Sequence, residues 1–177
     1  MQAIGPKGGQ QARPLFRAPD VLTVLRLPLA VLFVLLDGTG ARLVVLVAAS
    51  LSDLVDGIWA RRIGGSRAGV VLDPVCDKLF VVSAFAVVWQ SHVLTILELL
   101  GVLMRDIVAA AAFLGTWVRR HPTTLPARAG GKWVTVAQLL TLLAFLAGSE
   151  LVRPLAWATA AISVYAIADY TRAARLR

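Results

Sequence analysis

From residue 21 to residue 170 the sequence is a succession of apolar runs, roughly 21–36, 41–59, 69–90, 93–117, 131–148 and 154–170, separated by short polar stretches rich in Gly, Pro and basic residues. Each run approaches the ~20 residues that a helix needs to cross the hydrocarbon core of a bilayer. Hydrophobic residues at 58% and a mean hydropathy of +0.77 are more than an ordinary soluble domain carries. Only helices and closed barrels satisfy their backbone groups in lipid, and runs of this length point to helices. The expectation is therefore an all-α integral membrane protein: one bundle of six transmembrane helices over residues 21–177. Residues 1–20, with Gly and Pro among Lys7, Arg13 and Arg17, read as a cytoplasmic or interfacial leader without the pattern of a removable signal.

The net charge of +8 could suggest a nucleic-acid partner. The basic residues, however, cluster in the leader, after the second and fourth runs and at the C-terminus, whereas the opposite segments hold only Arg42 and Arg153. That asymmetry is the topology signal of a membrane protein beside anionic headgroups, so lipid is expected and nucleic acid is not. It places both termini in the cytoplasm of a bacterial-type inner or plasma membrane. Cys76 is the single cysteine, which excludes an intrachain disulfide and reads as a small buried residue.

Within this apolar chain the stretch from Asp53 to Asp77 stands apart, because it holds Asp53, Asp56, Asp73 and Asp77, four of the ten acidic residues. On helices, Asp53 and Asp56 share one face, and so do Asp73 and Asp77. Two adjacent helices can thus aim four carboxylates into one pocket, at the cytoplasmic end of the second and third runs. Ionised carboxylates at membrane depth cost about 2.5–3.5 kcal/mol each, so a positive group must sit among them. Hard oxygen donors without His or Cys suit Mg²⁺ or Mn²⁺ rather than zinc, and two such ions would suit phosphoryl transfer. Gly57, costly in mid-helix, and the small Ala60 suggest a groove that admits a flat ligand or another backbone. Pro74 is expected to disturb the third helix near residue 70.

The positions Asp53, Asp56, Gly57, Ala60, Arg61, Gly69, Asp73 and Asp77 resemble the signature of the CDP-alcohol phosphatidyltransferase family, D-x2-D-G-x2-A-R-x8-G-x3-D-x3-D. One departure is visible: seven residues, not eight, separate Arg61 from Gly69. The missing residue falls in R-I-G-G-S-R-A, which reads as a loop from Arg61 to Ala68. The resemblance implies a homodimeric enzyme with CDP-diacylglycerol as donor and CMP as leaving group. It implies Asp53, Asp56, Asp73 and Asp77 as ligands of two Mg²⁺ or Mn²⁺ ions, with Asp77 also the catalytic general base. Gly57, Ala60 and Gly69 would leave room for the nucleoside, and Arg61 would meet a phosphate.

Further fragments resemble the branch of the family that uses sn-glycerol 3-phosphate. They are L-T-V-L-R with Thr23 and Arg26, R-D-I-V with Arg105, and G-K-W-V-T-V-A-Q with Lys132, where Trp133 replaces a second Lys. On that likeness Arg105 and Lys132 would hold the acceptor phosphate, the plainer alternative being that Arg105 and Asp106 pair with other helices; inositol 1-phosphate is the alternative acceptor, since it too carries a phosphate. Arg26 is open to two readings, a group facing a polar interior or phosphate, or a side chain snorkelling to the interface. Lys78 reads as snorkelling in preference to a counter-charge for Asp77, Asp169 as interfacial and His121 as a solvated loop residue. From other classes, a cation transporter accounts for the acids but not for Gly57, Ala60, Arg61 and Gly69, and an inactive CDP-lipid-binding member is opposed by the four intact aspartates.

Overall fold

The computed structural model describes residues 18–63, 69–118 and 129–175. The leader to residue 17 and the connection holding His121 lie outside the described residues. Six helices are present: α1 (Ala18–Leu35), α2 (Thr39–Ile63), α3 (Gly69–Gln90), α4 (Ile96–Val118), α5 (Ala129–Leu146) and α6 (Val152–Arg175). No strand occurs among the described residues, so the all-α expectation holds. One expectation is corrected. The segment from Arg61 to Ile63 is the last turn of α2 and not loop, because Ala and Arg are good helix formers whatever their hydropathy. Pro74 lies inside α3, which runs from Gly69 to Gln90, and as its sixth residue it has no N–H to offer the Val70 carbonyl.

Among the described residues, no helix is long and apolar enough to cross a membrane. Charges interrupt the apolar runs: Asp20 and Arg26 in α1, Asp53 and Asp56 in α2, and Asp73, Asp77 and Lys78 in α3.

Helix α1 packs on α2 and α3, while α6 packs on α4 and α5; sparser contacts of α2 and α3 with α4 and α5 join the two groups. The first half of α1 meets the later turns of α2 and the first turns of α3, and the middle of α4 meets α3 and α5. The core between the groups is built from Phe33, Leu46, Phe85, Val88, Leu94 and Val102, all buried. Phe33 meets Phe80 edge-on, with ring centroids 5.9 Å apart at 68°. Several buried or half-buried hydroxyls return to carbonyls of their own helix, as Ser50 does to Leu46, Thr141 to Ala137 and Thr159 to Leu155. That is how a hydroxyl is satisfied where water is absent.

The polarity of the bundle is inverted. Asp20, Thr23, Arg26, Asp56, Asp106 and Gln138 are buried, whereas Val44, Leu51, Leu54, Leu97, Trp133 and Tyr165 are exposed.

The end away from the aspartates is closed by local devices. Thr95 and Glu98 form a capping box at the start of α4: the Thr95 N–H donates to Glu98 at 2.8 Å and the Glu98 N–H to the Thr95 hydroxyl at 3.3 Å. The buried Glu98 also accepts from Arg153 at 3.0 Å and Trp157 at 3.1 Å, which ties α4 to α6. Helix α5 ends at Gly148, whose φ of 62° allows the Gly148 N–H to reach Phe145 and the Ser149 N–H to reach Ala144, both at 3.0 Å.

Gly101 sets the α4–α6 distance, since a Cβ there would lie 2.8 Å from the Ala160 Cβ. Neither atom is the end of a flexible chain, so the helices would have to part. Gly101→Val is expected to destabilise the protein by about 1–3 kcal/mol, as overpacking does. Thermal unfolding in detergent measures it, and an unchanged midpoint would show that the helices part without cost.

Candidate active site

Helix α1 enters the acidic end of α2 and α3 with two side chains one turn apart, Thr23 and Arg26, both buried. Their i, i+3 spacing puts them on one face. Arg26 Nη2 forms an ion pair with Asp53 Oδ1 at 2.9 Å and a closer, hydrogen-bonded one with Asp56 Oδ2. The Thr23 hydroxyl lies 2.6 Å from Asp73 Oδ1 and 3.3 Å from Asp56 Oδ2. Three of the four predicted aspartates are thus gathered around two side chains of α1. Arg26 faces the polar interior; the snorkelling alternative is not what the fold adopts.

Asp77 stands one turn further along α3. Its neighbour Lys78 is not a snorkelling residue. The Lys78 ammonium makes a close ion pair with Asp106 on α4 and lies 3.8 Å from Asp77 Oδ2. Asp106 Oδ1 also accepts from Arg105 Nη1 at 3.0 Å, while its Oδ2 accepts from Gln138 Nε2 at 2.6 Å. The Gln138 amide reaches the Val102 carbonyl as well, at 3.0 Å. Asp106 therefore joins α3, α4 and α5, as the plainer reading of the charges in α4 expects, while its partners Lys78 and Gln138 are not signalled by the sequence of any single helix.

Arg105 lies against the first turns of α5, where a Cβ on Gly131 would fall 2.6 Å from Nη2. Glycine at 131 is what lets the guanidinium lie on that backbone. Lys132, the next residue, is exposed. Gly69 opens α3 and is buried. An added Cβ on Gly57 would meet nothing within 4 Å, so no other described backbone approaches it and its face is open. Ala60 and Arg61 lie on the last turns of α2, and their side chains are outside the described residues.

Among the described residues, no three His, Cys, Asp or Glu side chains are gathered so as to enclose a metal ion. The donor chemistry nevertheless fits a hard divalent cation. Asp53 and Asp56 each turn an oxygen to the same positive nitrogen of Arg26, so the two can share one cation. Asp73 is joined to Asp56 through a single hydroxyl.

The family model described as CDP-alcohol phosphatidyltransferase matches residues 16–166 of this chain. The chain belongs to that family. The matched interval contains Thr23, Arg26, the four aspartates, Asp106 and Lys132. Among relatives, the CDP-diacylglycerol–glycerol-3-phosphate 3-phosphatidyltransferase of Pseudomonas fluorescens is 34% identical over 141 residues, covering 73% of this chain and 71% of that protein. A putative cardiolipin synthase of Mycobacterium tuberculosis is 34% identical over 122 residues, 66% of this chain and 58% of the relative. A chloroplastic/mitochondrial CDP-diacylglycerol–glycerol-3-phosphate 3-phosphatidyltransferase of Arabidopsis thaliana is 29% identical over 183 residues, 87% of this chain and 61% of the relative. A CDP-alcohol phosphatidyltransferase is an enzyme by family, which answers the cation-transport alternative.

Proposed function

We infer that the enzyme transfers the phosphatidyl group of CDP-diacylglycerol to sn-glycerol 3-phosphate, releasing CMP and forming phosphatidylglycerophosphate. The observation that carries this reading is the gathering of Asp53, Asp56 and Asp73 around Arg26 and Thr23, in a stretch that follows the family signature but for one residue between Arg61 and Gly69, in a chain whose relatives include enzymes named for that reaction. Asp53, Asp56, Asp73 and Asp77 would hold two ions of Mg²⁺ or Mn²⁺. When bound, such ions supply charge neutralisation at the pyrophosphate and at the departing CMP oxygen.

The chain's own groups do the rest. The open face at Gly57, with Ala60 and Gly69, admits the nucleoside, and Arg61 meets a donor phosphate. Asp77 accepts the proton of the acceptor hydroxyl as its oxygen bonds to the β-phosphorus; the bond from that phosphorus to the CMP oxygen breaks, and CMP leaves with the electron pair. A carboxylate is a weak base for an alcohol, so the proton moves as the new bond forms and not before. Arg105 and Lys132 hold the acceptor phosphate, with Arg105 fixed by Asp106 on one side and by the glycine backbone at 131 on the other.

The enzyme is placed in the membrane by this reading, with active site and termini cytoplasmic. Its inverted polarity supports that: the charges that interrupt the apolar runs include Arg26 and Asp56, which are turned inward, and large apolar side chains cover the outside. Acyl chains of the donor could then stay in lipid while the headgroup reaches the aspartates. A homodimer is part of the reading on the family resemblance alone.

A second acceptor has a specific observation behind it, because relatives named as cardiolipin synthases match at the same identity. Mass spectrometry of the lipid product decides, with sn-glycerol 3-phosphate, phosphatidylglycerol and inositol 1-phosphate offered separately. Phosphatidylglycerophosphate is the expected product. Cardiolipin alone, or phosphatidylinositol phosphate alone, would keep the catalytic core and overturn the acceptor.

A further inference from the structure

Arg26 occupies an unusual position for a cation in a site built for another cation. Its Nη2 serves Asp53 and Asp56 together, while its Nε is buried and has no hydrogen-bond partner. A guanidinium placed for its own hydrogen bonds would satisfy that N–H; this one is placed for the two carboxylates. The Asp53 side chain is 58% exposed and that of Asp56 is buried, at 9%, so the pair can be approached from outside the bundle through Asp53 while Arg26 holds both. Without Arg26, Asp53 and Asp56, one turn apart on α2, would repel across a short distance, and the buried Asp56 carboxylate would lose its counter-charge.

We propose that Arg26 is a resident counter-cation, a positioning residue that keeps Asp53 and Asp56 together when no divalent ion is bound and competes with that ion for the same oxygens. The inference rests on the reading of these aspartates as metal ligands. A guanidinium spreads one charge over a plane, whereas Mg²⁺ or Mn²⁺ concentrates two on a small ion that prefers oxygen donors, so the ion displaces Arg26 when present. The two carboxylates are thereby held together before the ion arrives. Displacement also frees the guanidinium to turn and satisfy Nε.

Mn²⁺ binding, followed by electron paramagnetic resonance on the full chain in detergent, tests this with Arg26→Gln and Arg26→Lys beside the wild type. Removing a competing cation a few ångströms away is expected to tighten Mn²⁺ binding about tenfold in Arg26→Gln. Arg26→Lys, which keeps the charge but not the planar fork, should fall between. Thermal unfolding in EDTA should follow the opposite order, with the wild type most stable, and added Mn²⁺ should restore Arg26→Gln. A merely structural role would lower stability with or without Mn²⁺ and would not tighten binding. Equal or weaker Mn²⁺ affinity in both variants, with binding intact in the wild type, overturns the inference and leaves the metal reading standing. No binding in any of the three overturns both. Should Arg26→Gln fail to fold under either condition, the comparison of Arg26→Lys with wild type decides by the same criterion.

Discussion

Asp77→Asn is expected to lower the rate of CMP release by about 10²- to 10⁴-fold while CDP-diacylglycerol still binds. The amide has nearly the shape of the carboxylate, so packing around α3 should survive, but it cannot take the acceptor's proton. Asp77 is also the aspartate for which the structure offers the clearest separation of roles. Asp53, Asp56 and Asp73 are tied to Arg26 and Thr23, whereas Asp77 faces Lys78 at 3.8 Å. Single-turnover CMP release and a donor-induced shift in unfolding temperature measure the two properties independently. Unchanged turnover removes Asp77 from the base role; loss of donor binding together with turnover makes it a ligand first.

Asp106→Leu is expected to cost about 3 kcal/mol of stability, because it leaves Lys78 and Arg105 facing each other without the carboxylate between them. Both cations are mostly buried, at 24% and 18% side-chain exposure, and Gln138 loses its partner as well. The size of the effect comes from orphaned charges and not from the net worth of the pair. Adding Lys78→Met to Asp106→Leu should therefore recover part of the loss. Denaturation of the two single variants and the double variant gives the coupling; strictly additive losses would mean that Lys78 and Asp106 do not act on one another.

The catalytic stretch was legible in the sequence because its information is local. Asp53 and Asp56, and Asp73 and Asp77, are spaced by helix periodicity, and nothing beyond that spacing is needed to put each pair on one face. The number and type of helices were legible for the same reason, from runs bounded by Gly, Pro and charge. Arg26 was visible as a cation inside an apolar run, but its direction was not, since one helix cannot say which of its neighbours carries acid. The end of α2 was misplaced because the basic, Gly-rich segment after Trp59 reads as loop, yet helix propensity carries the backbone to Ile63.

The Lys78, Asp106 and Gln138 cluster was out of reach for a different reason. Its members lie on three helices, 28 and 32 residues apart, and each taken alone has an ordinary explanation at a membrane surface or within a bundle. Glu98 falls between these cases. Thr95 and Glu98 form a capping box that spacing alone could announce, but the grip on Arg153 and Trp157 depends on how α6 packs. The charges that are unintelligible one helix at a time become a network once the helices meet.

The most direct test of the account is CMP release by the purified protein in detergent, from CDP-diacylglycerol with Mg²⁺, with and without sn-glycerol 3-phosphate and with EDTA as a control. The account predicts release that needs both the acceptor and the divalent ion. Release that persists in EDTA, or none with this or any other acceptor alcohol while the donor binds, would contradict it.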